Sequence, residues 1–123
     1  MSIKSLIRAI VLVFGVTVGL DAQTAIPGSR LTWDQAAPTL AEAQGYTYTY
    51  YPEAAPPAVI LTAVTCSGTA SPFTCVVAFP AFTPGAHTLQ LTASNIAGES
   101  TRSAAFAFTF VVVPGAPANI RIQ

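Results

Sequence analysis

The chain has 123 residues, a formal net charge of zero, 52% hydrophobic residues and 8% charged residues, against about 25% charged residues in an average globular protein. This length accommodates one domain. The hydrophobic content is too high for an intrinsically disordered chain, which has too few apolar residues to form a core. Because no Lys/Arg cluster follows Arg8, and nucleic-acid binding needs several cations together, we expect no nucleic-acid partner.

Residues 1–22 have the pattern of a secretory signal peptide. Lys4 and Arg8 precede an uncharged apolar run, AIVLVFGVTVGL, and the small residue Ala22 follows it. The run is shorter than the roughly 20 apolar residues of a transmembrane helix. We therefore expect cleavage after Ala22, a secreted or cell-surface protein and no stable membrane span. A buried N-terminal helix and an uncleaved anchor are the other interpretations of this run.

Six segments with alternating or β-rich patterns predict six strands in the rest of the chain. In order they are RLTWD, GYTYTYY, AVILTAVTCSG, FTCVVAF, HTLQLTAS and AFAFTFVVV. Turns that contain Pro or Gly separate them, QAAPTLAEAQG could form a turn of helix, and QTAIPGSR is a poor strand. Residues 23–113 are therefore expected to form one all-β domain, an antiparallel sandwich.

The inward faces of the strands supply the expected core, because successive side chains of a strand point to opposite faces. The core residues predicted in this way are Trp33, Tyr46, Tyr48, His87, Leu89 and Leu91. Cys66 and Cys75 flank a turn, and an even number of cysteines in an exported chain favours a disulfide. Such a small ring would stabilise the fold by about 2–3 kcal/mol in the chain-entropy model.

No group of residues has the spacing of a catalytic or metal site, so we expect no enzyme activity, no cofactor and no metal. Two thiols and the single histidine, His87, do not complete a zinc ligand set. The acidic residues that follow the predicted signal peptide are Asp34, Glu42, Glu53 and Glu99. They are scattered along the chain, which suits neither a general acid/base pair nor a calcium site. Tyr51 faces away from the other tyrosines, and an exposed tyrosine is a good contact residue.

Three segments resemble fibronectin type III domains, which are immunoglobulin-like sandwiches. LTWDQAAP resembles the second strand of the family, and GYTYTYY looks like its third strand. FTPGAHTLQLTASNIAGES is similar to the family's Pro-Gly turn, following strand and Asn-x-Ala-Gly-Glu-Ser loop. The resemblance spans Arg30 to about Val113, and other bacterial or viral immunoglobulin-like domains would fit too. It implies that His87, which stands where the family usually has tyrosine, bonds to backbone near the turn.

Residues 114–123 form a C-terminal tail in which PGAPANIRI resembles the first strand of the same family, whereas little would precede Trp33 after cleavage at Ala22. The resemblance implies that a segment leaving the last strand points away from its own domain. We expect it to fill the edge beside the Trp33 strand, more readily in another copy than in its own, with Ile120 and Ile122 as anchors. A disordered tail and the remnant of a tandem array are the other interpretations.

These features together predict a non-catalytic extracellular structural or adhesion module that self-assembles by strand addition, with a protein or glycan surface partner that the sequence does not identify. Two other functions fit the same features. One is a phage virion surface component that decorates a capsid or tail. The other is an accessory carbohydrate-binding module, for which Tyr51 is the one candidate exposed aromatic residue.

Overall fold

The computed structural model of the chain describes residues 23–53 and 57–123; the predicted signal peptide at residues 1–22 lies outside them. The described residues form nine strands and one short helix. These elements are β1 (Gln23–Ala25), β2 (Arg30–Gln35), α1 (Leu40–Gly45), β3 (Thr47–Pro52), β4 (Val59–Ile60), β5 (Thr65–Ser67), β6 (Phe73–Ala78), β7 (Gly85–Asn95), β8 (Gly98–Glu99) and β9 (Phe106–Phe110).

Two sheets pack face to face, which confirms the predicted all-β sandwich. The larger sheet has the order β1-β9-β7-β3-β4, with β8 also paired to β7, and the smaller sheet has the order β2-β6-β5. All neighbours are antiparallel except β1 and β9, which are parallel. The long strand β7 pairs with β9 through its first half and with β3 through its second half.

A tight turn joins β1 to β2. The amide of Ser29 donates to the carbonyl of Ile26 at 2.9 Å, and Gly28 has φ +95°, as the third position of a type II turn requires. The prediction that QTAIPGSR would be a poor strand is wrong for its first three residues, because Gln23–Ala25 pairs with β9. This strand joins the larger sheet, so it does not lie beside β2.

The predicted strand AVILTAVTCSG is two strands, because the chain changes sheet within it. Its first part, β4, pairs with β3 in the larger sheet, and its last part, β5, pairs with β6 in the smaller sheet. Between them Ala63 has φ +64°, a left-handed conformation that is uncommon for alanine. A period-two pattern does not reveal such a change of sheet.

The interior has two apolar clusters that meet at Trp33. One cluster contains Ala25, Leu31, Val77, Leu89, Phe108 and Phe110. The other contains Ala37, Ala43, Tyr48, Cys66, Phe73 and Cys75. Because the half-buried side chain of Trp33 packs against both clusters, it links the two ends of the sandwich.

Candidate functional site

Strand β2 has one open edge, and this edge is the candidate site. All six residues of β2 pair with β6 on one side, and on the other side no strand of residues 23–53 or 57–123 is hydrogen-bonded to it. An edge strand of this kind presents backbone donors and acceptors to any extended segment that reaches it. The edge beside Trp33 can therefore accept a further strand.

Three hollows follow one another along this edge. A hollow of 530 Å³ lies at the β1 end, one of 220 Å³ lies beside Trp33 and Asp34, and one of 330 Å³ lies beside Gln35. The first two hollows share Trp33 and Leu91, and the last two share Gln35 and Ala93. They therefore form one continuous depression between the two sheets, which we call the edge groove.

The β1 end of the edge groove has an apolar lining supplied by three strands. The residues concerned are Leu31 and Trp33 of β2, Leu89 and Leu91 of β7, and Phe106 and Phe108 of β9. Within the described part of the chain, the buried indole Nε1 of Trp33 has no hydrogen-bond partner. A buried donor without a partner costs about 1–3 kcal/mol, and native interiors contain few of them. The single chain thus leaves this end of the groove with a largely apolar lining.

Two serines form the wall of the edge groove opposite β2. The amides of Ser100 and Ser103 donate to the carbonyls of Ala93 and Leu91 of β7, at 2.8 Å and 2.9 Å. Their hydroxyls in turn accept from the amides of Ala93 and Leu91, at 3.1 Å and 2.9 Å. The two serines therefore hydrogen-bond the backbone of β7 at positions that β9, which begins at Phe106, does not reach. Backbone groups remain open on the β2 side of the groove.

The C-terminal tail is the second part of the candidate site. Residues 111–123 have no regular secondary structure and all are exposed; Ile120 and Ile122 are 90% and 99% exposed. Asn119 has φ +54°, and Nη1 of Arg121 donates to its carbonyl at 2.8 Å. In the single chain the expected strand over Ala118–Gln123 is therefore not formed, and its pairing with another copy stays a prediction.

The tyrosines and leucines predicted for the core lie at different depths. Tyr48 is 2% exposed and Leu89 is equally buried, whereas Tyr46 and Leu91 are half-buried. The hydroxyl of Tyr48 donates to the carbonyl of Ala43 in α1 at 2.6 Å. Burial, and to a lesser degree repulsion from Tyr46, raises the pKa of Tyr48 to about 12.

The disulfide prediction is confirmed. Cys66 and Cys75 are bonded and lie opposite each other on β5 and β6. The hydroxyl of Tyr48 lies 3.8 Å and 3.7 Å from their sulfur atoms. The bond therefore joins two neighbouring strands at the centre of one core cluster.

His87 is half-buried, and its ring contacts Glu53 and the backbone of Thr83, a polar cluster that we call the clasp. Its Nδ1 lies 2.5 Å from Oε2 of Glu53, and its Nε2 lies 2.7 Å from the carbonyl of Thr83. Both partners are acceptors, so this geometry suits an imidazole that carries a proton on each ring nitrogen. The bond to Glu53 is the main cause that raises the pKa of His87, and the same bond lowers the pKa of Glu53.

Tyr51 lies on the outer face of the larger sheet, within a polar cluster. Its hydroxyl donates to Oε2 of Glu99 at 2.6 Å, and Thr92 donates to the same oxygen at 2.5 Å. The guanidinium of Arg102 lies 3.8 Å from the centre of the Tyr51 ring. The bonds from Thr92 and then Tyr51 lower the pKa of Glu99, so this carboxylate acts as an acceptor. Thr92, which the alternation places outward, is buried beneath it.

Within residues 23–53 and 57–123, no group of three or more His, Cys, Asp or Glu side chains could hold a metal ion. No helix among the described residues has the length and apolar character needed to cross a membrane.

Comparison of the chain with protein-family models, with curated proteins and with solved structures found no match.

Sequence reasoning anticipated the open edge beside Trp33 but missed the side-chain pairs, and the strand expected in the tail stays a prediction. His87 and Glu53 are 34 residues apart, and Tyr51 and Glu99 are 48 residues apart, so no local spacing connects them. The Pro-Gly pair that follows β1 was a usable turn signal and could have located that strand.

Proposed function

We propose that the chain is a non-catalytic structural module that acts outside the cytoplasm and assembles with copies of itself through its C-terminal tail. The observation that carries this proposal is the tail itself. The side chains of Ile120 and Ile122 are almost fully exposed to solvent. Because they stand at alternate positions, they would share one face of a strand. A segment of this pattern gains most by pairing with an exposed strand edge.

The energy available to the tail sets the strength of the assembly. Burying two isoleucine side chains contributes about 3–6 kcal/mol, and ordering the segment opposes part of this gain. Taken alone, this burial corresponds to reversible association at about millimolar concentration, because a micromolar dissociation constant needs about 8 kcal/mol. A copy held at high local concentration on a surface would therefore assemble, and a dilute copy would dissociate.

A fibronectin type III-like identity supports a structural or adhesion role for this module. The resemblance implies a bond from His87 to backbone near the Pro-Gly turn, and the bond between His87 Nε2 and the Thr83 carbonyl agrees with it. Many domains of this architecture act by binding rather than by catalysis, which is an analogy of fold and not of site.

The proposed location outside the cytoplasm rests on the signal-like pattern of residues 1–22 and on the Cys66–Cys75 disulfide, since disulfides persist in oxidising compartments. Intact mass of the native protein tests it. A mass that corresponds to cleavage after Ala22 supports export, and a particle-bound chain that retains Met1 favours the virion surface instead.

The carbohydrate-binding proposal is the weaker one. Sugar rings stack on the open face of an exposed aromatic side chain. The guanidinium of Arg102 lies over the ring of Tyr51, and the Tyr51 hydroxyl is held by Glu99. A glycan partner would have to displace these contacts.

Sedimentation of two variants tests tail-mediated assembly. Ile120→Asp/Ile122→Asp places two charges on the exposed tail, so we expect a folded protein that stays monomeric at concentrations where the original chain associates. Ile60→Asp is the control, because Ile60 is 62% exposed on β4, at the opposite edge of the larger sheet from β1, and it should associate normally. An original chain that is monomeric at high concentration, or a double variant that associates like it, would refute the proposal.

A further inference from the structure

We propose that the edge groove takes residues Ala118–Gln123 of a second copy as an antiparallel strand beside β2, with Ile120 opposite Trp33 and Ile122 opposite Leu31. This inference rests on the proposed tail-mediated assembly and adds its acceptor site and its register. Three observations carry it: the open edge of β2, the apolar lining of the groove, and the exposed isoleucines of the tail.

The tail segment Ala118–Gln123 and strand β2 match in length and in their alternation of apolar and polar residues. The segment Ala118–Gln123 and strand β2 each have six residues. In β2, Leu31 and Trp33 face the interior while Thr32 and Asp34 are exposed. In an antiparallel pair, residues directly opposite each other point to the same face. The two isoleucines can therefore lie over Leu31 and Trp33 while the polar residues of both strands face water.

The register follows from excluding the neighbouring ones. A slip of one residue would turn both isoleucines to solvent. A slip of two residues in one direction sets Arg121 opposite Arg30, which places like charges together. A slip of two in the other direction sets Ile120 opposite Gln35 and leaves Leu31 uncovered. Only the proposed register overlaps all six residues and covers both apolar side chains.

A second copy suits the groove better than the chain's own tail. The larger sheet holds β9, from which the tail departs, and β1 lies between β9 and the open side. The amide of Val111 donates to the carbonyl of Ala25 at 2.9 Å, so the tail leaves the sandwich alongside the end of β1. To reach its own β2 edge it would have to reverse direction within a few residues that include Pro114 and Pro117.

Pairing requires the tail to change conformation. Asn119 has φ +54° in the single chain, and a strand needs a negative φ at that position. Extended backbone is allowed for every residue, so the change needs only rotation about the backbone bonds of Asn119. The bond between Arg121 and the Asn119 carbonyl is lost in exchange for cross-strand bonds. The donated strand therefore forms on binding.

Crosslinking between engineered cysteines tests the register. The native Cys66 and Cys75 should not interfere, because they are bonded to each other. In the proposed register Arg121 lies opposite Thr32, on the solvent face. Thr32→Cys/Arg121→Cys should form a ladder of covalent oligomers under mild oxidation. Asp34→Cys/Arg121→Cys, one step along the same face, should crosslink more slowly. Thr74→Cys/Arg121→Cys is the matched control, because Thr74 lies on β6, one strand further from the groove.

Each other outcome contradicts the proposal in a distinct way. A faster ladder with Asp34→Cys overturns the register, and a crosslink within a monomer overturns the second copy. If tail-dependent association persists but no pair crosslinks faster than the Thr74→Cys control, assembly through the tail stands and the edge groove is the wrong acceptor. If the original chain does not associate at all, the proposed function fails together with the inference.

Fluorescence gives a second measurement on the original chain. Trp33 is the only tryptophan and lines the groove. Its emission should move to shorter wavelength, and its quenching by acrylamide should fall, as the concentration rises through the association range. Ile120→Asp/Ile122→Asp should show neither change. Association that leaves the Trp33 emission unaltered would place the tail elsewhere.

Discussion

Tyr48 connects the helix to the core through one buried hydroxyl. Its bond to the Ala43 carbonyl anchors α1, a helix too short to be stable alone. Tyr48→Phe should lower the free energy of unfolding by about 1–3 kcal/mol, because the buried carbonyl loses its partner. It should also remove the tyrosine that ionises near pH 12. Denaturant unfolding and an ultraviolet pH titration measure these effects.

The matched control for this prediction is Tyr46→Phe. Tyr46 packs edge-on against Tyr48 at 6.2 Å and is half-buried, so it shares the same surroundings without the bond to α1. A loss of stability as large as that of Tyr48→Phe would mean that the hydroxyl bond is not the cause.

The clasp between His87 and Glu53 makes stability depend on pH. Because the pKa of His87 is raised above its ordinary 6.5, its contribution is complete below pH 6.5 and is lost as the pH rises through the raised value. Because the pKa of Glu53 is lowered from its ordinary 4.5, its contribution is present above pH 4.5 and is lost as the pH falls. The clasp should therefore stabilise most between pH 4.5 and 6.5.

Melting temperature against pH checks this window. The original chain should lose stability as the pH rises above 6.5 and the imidazole loses its proton, and Glu53→Gln should flatten this slope. Both clasp residues are partly exposed, so salt should weaken the effect. A slope that is identical in the two proteins would show that His87 titrates without its partner.

At the scale of elements, the turn between β1 and β2 takes the chain from the larger sheet to the smaller one. Gly28 has φ +95°, and a Cβ placed there would meet nothing within 4 Å. Gly28→Ala should therefore lower stability by about 1–2 kcal/mol through backbone conformation alone. Gly45→Ala is the control, since Gly45 has similar space and an ordinary φ, and alanine favours a helix. Equal unfolding midpoints for the two variants would contradict this account of the turn.

The sequence predicted the elements whose pattern is local. Alternation located β3, β6, β7 and β9, and the spacing of Cys66 and Cys75 predicted the disulfide that joins β5 to β6. It did not predict β1, because three residues are too few to show a period, or the division of β4 from β5, because Ala63 carries no turn signal. The edge groove depends on which sheet β1 joins, and that depends on contacts far apart in the chain.

At the scale of the molecule, the donor and the acceptor are different surfaces. The tail leaves from the β9 side, and the edge groove lies beside β2. A contact between unlike surfaces generates an open chain unless its rotation closes a ring. We therefore expect the proposed assembly to lengthen steadily with concentration, without stopping at a dimer.

A chain that can accept but not donate should limit this growth. Ile120→Asp/Ile122→Asp keeps its edge groove, so it binds the last free tail of an assembly and offers no tail of its own. Added in equal amount to the original chain, it should reduce the mean size to about two subunits at saturation, because donors are then half as numerous as acceptors. Light scattering over a range of mixing ratios measures the decline. If instead the original chain stays a dimer over a tenfold range of concentration, two copies exchange their tails reciprocally and the assembly is closed.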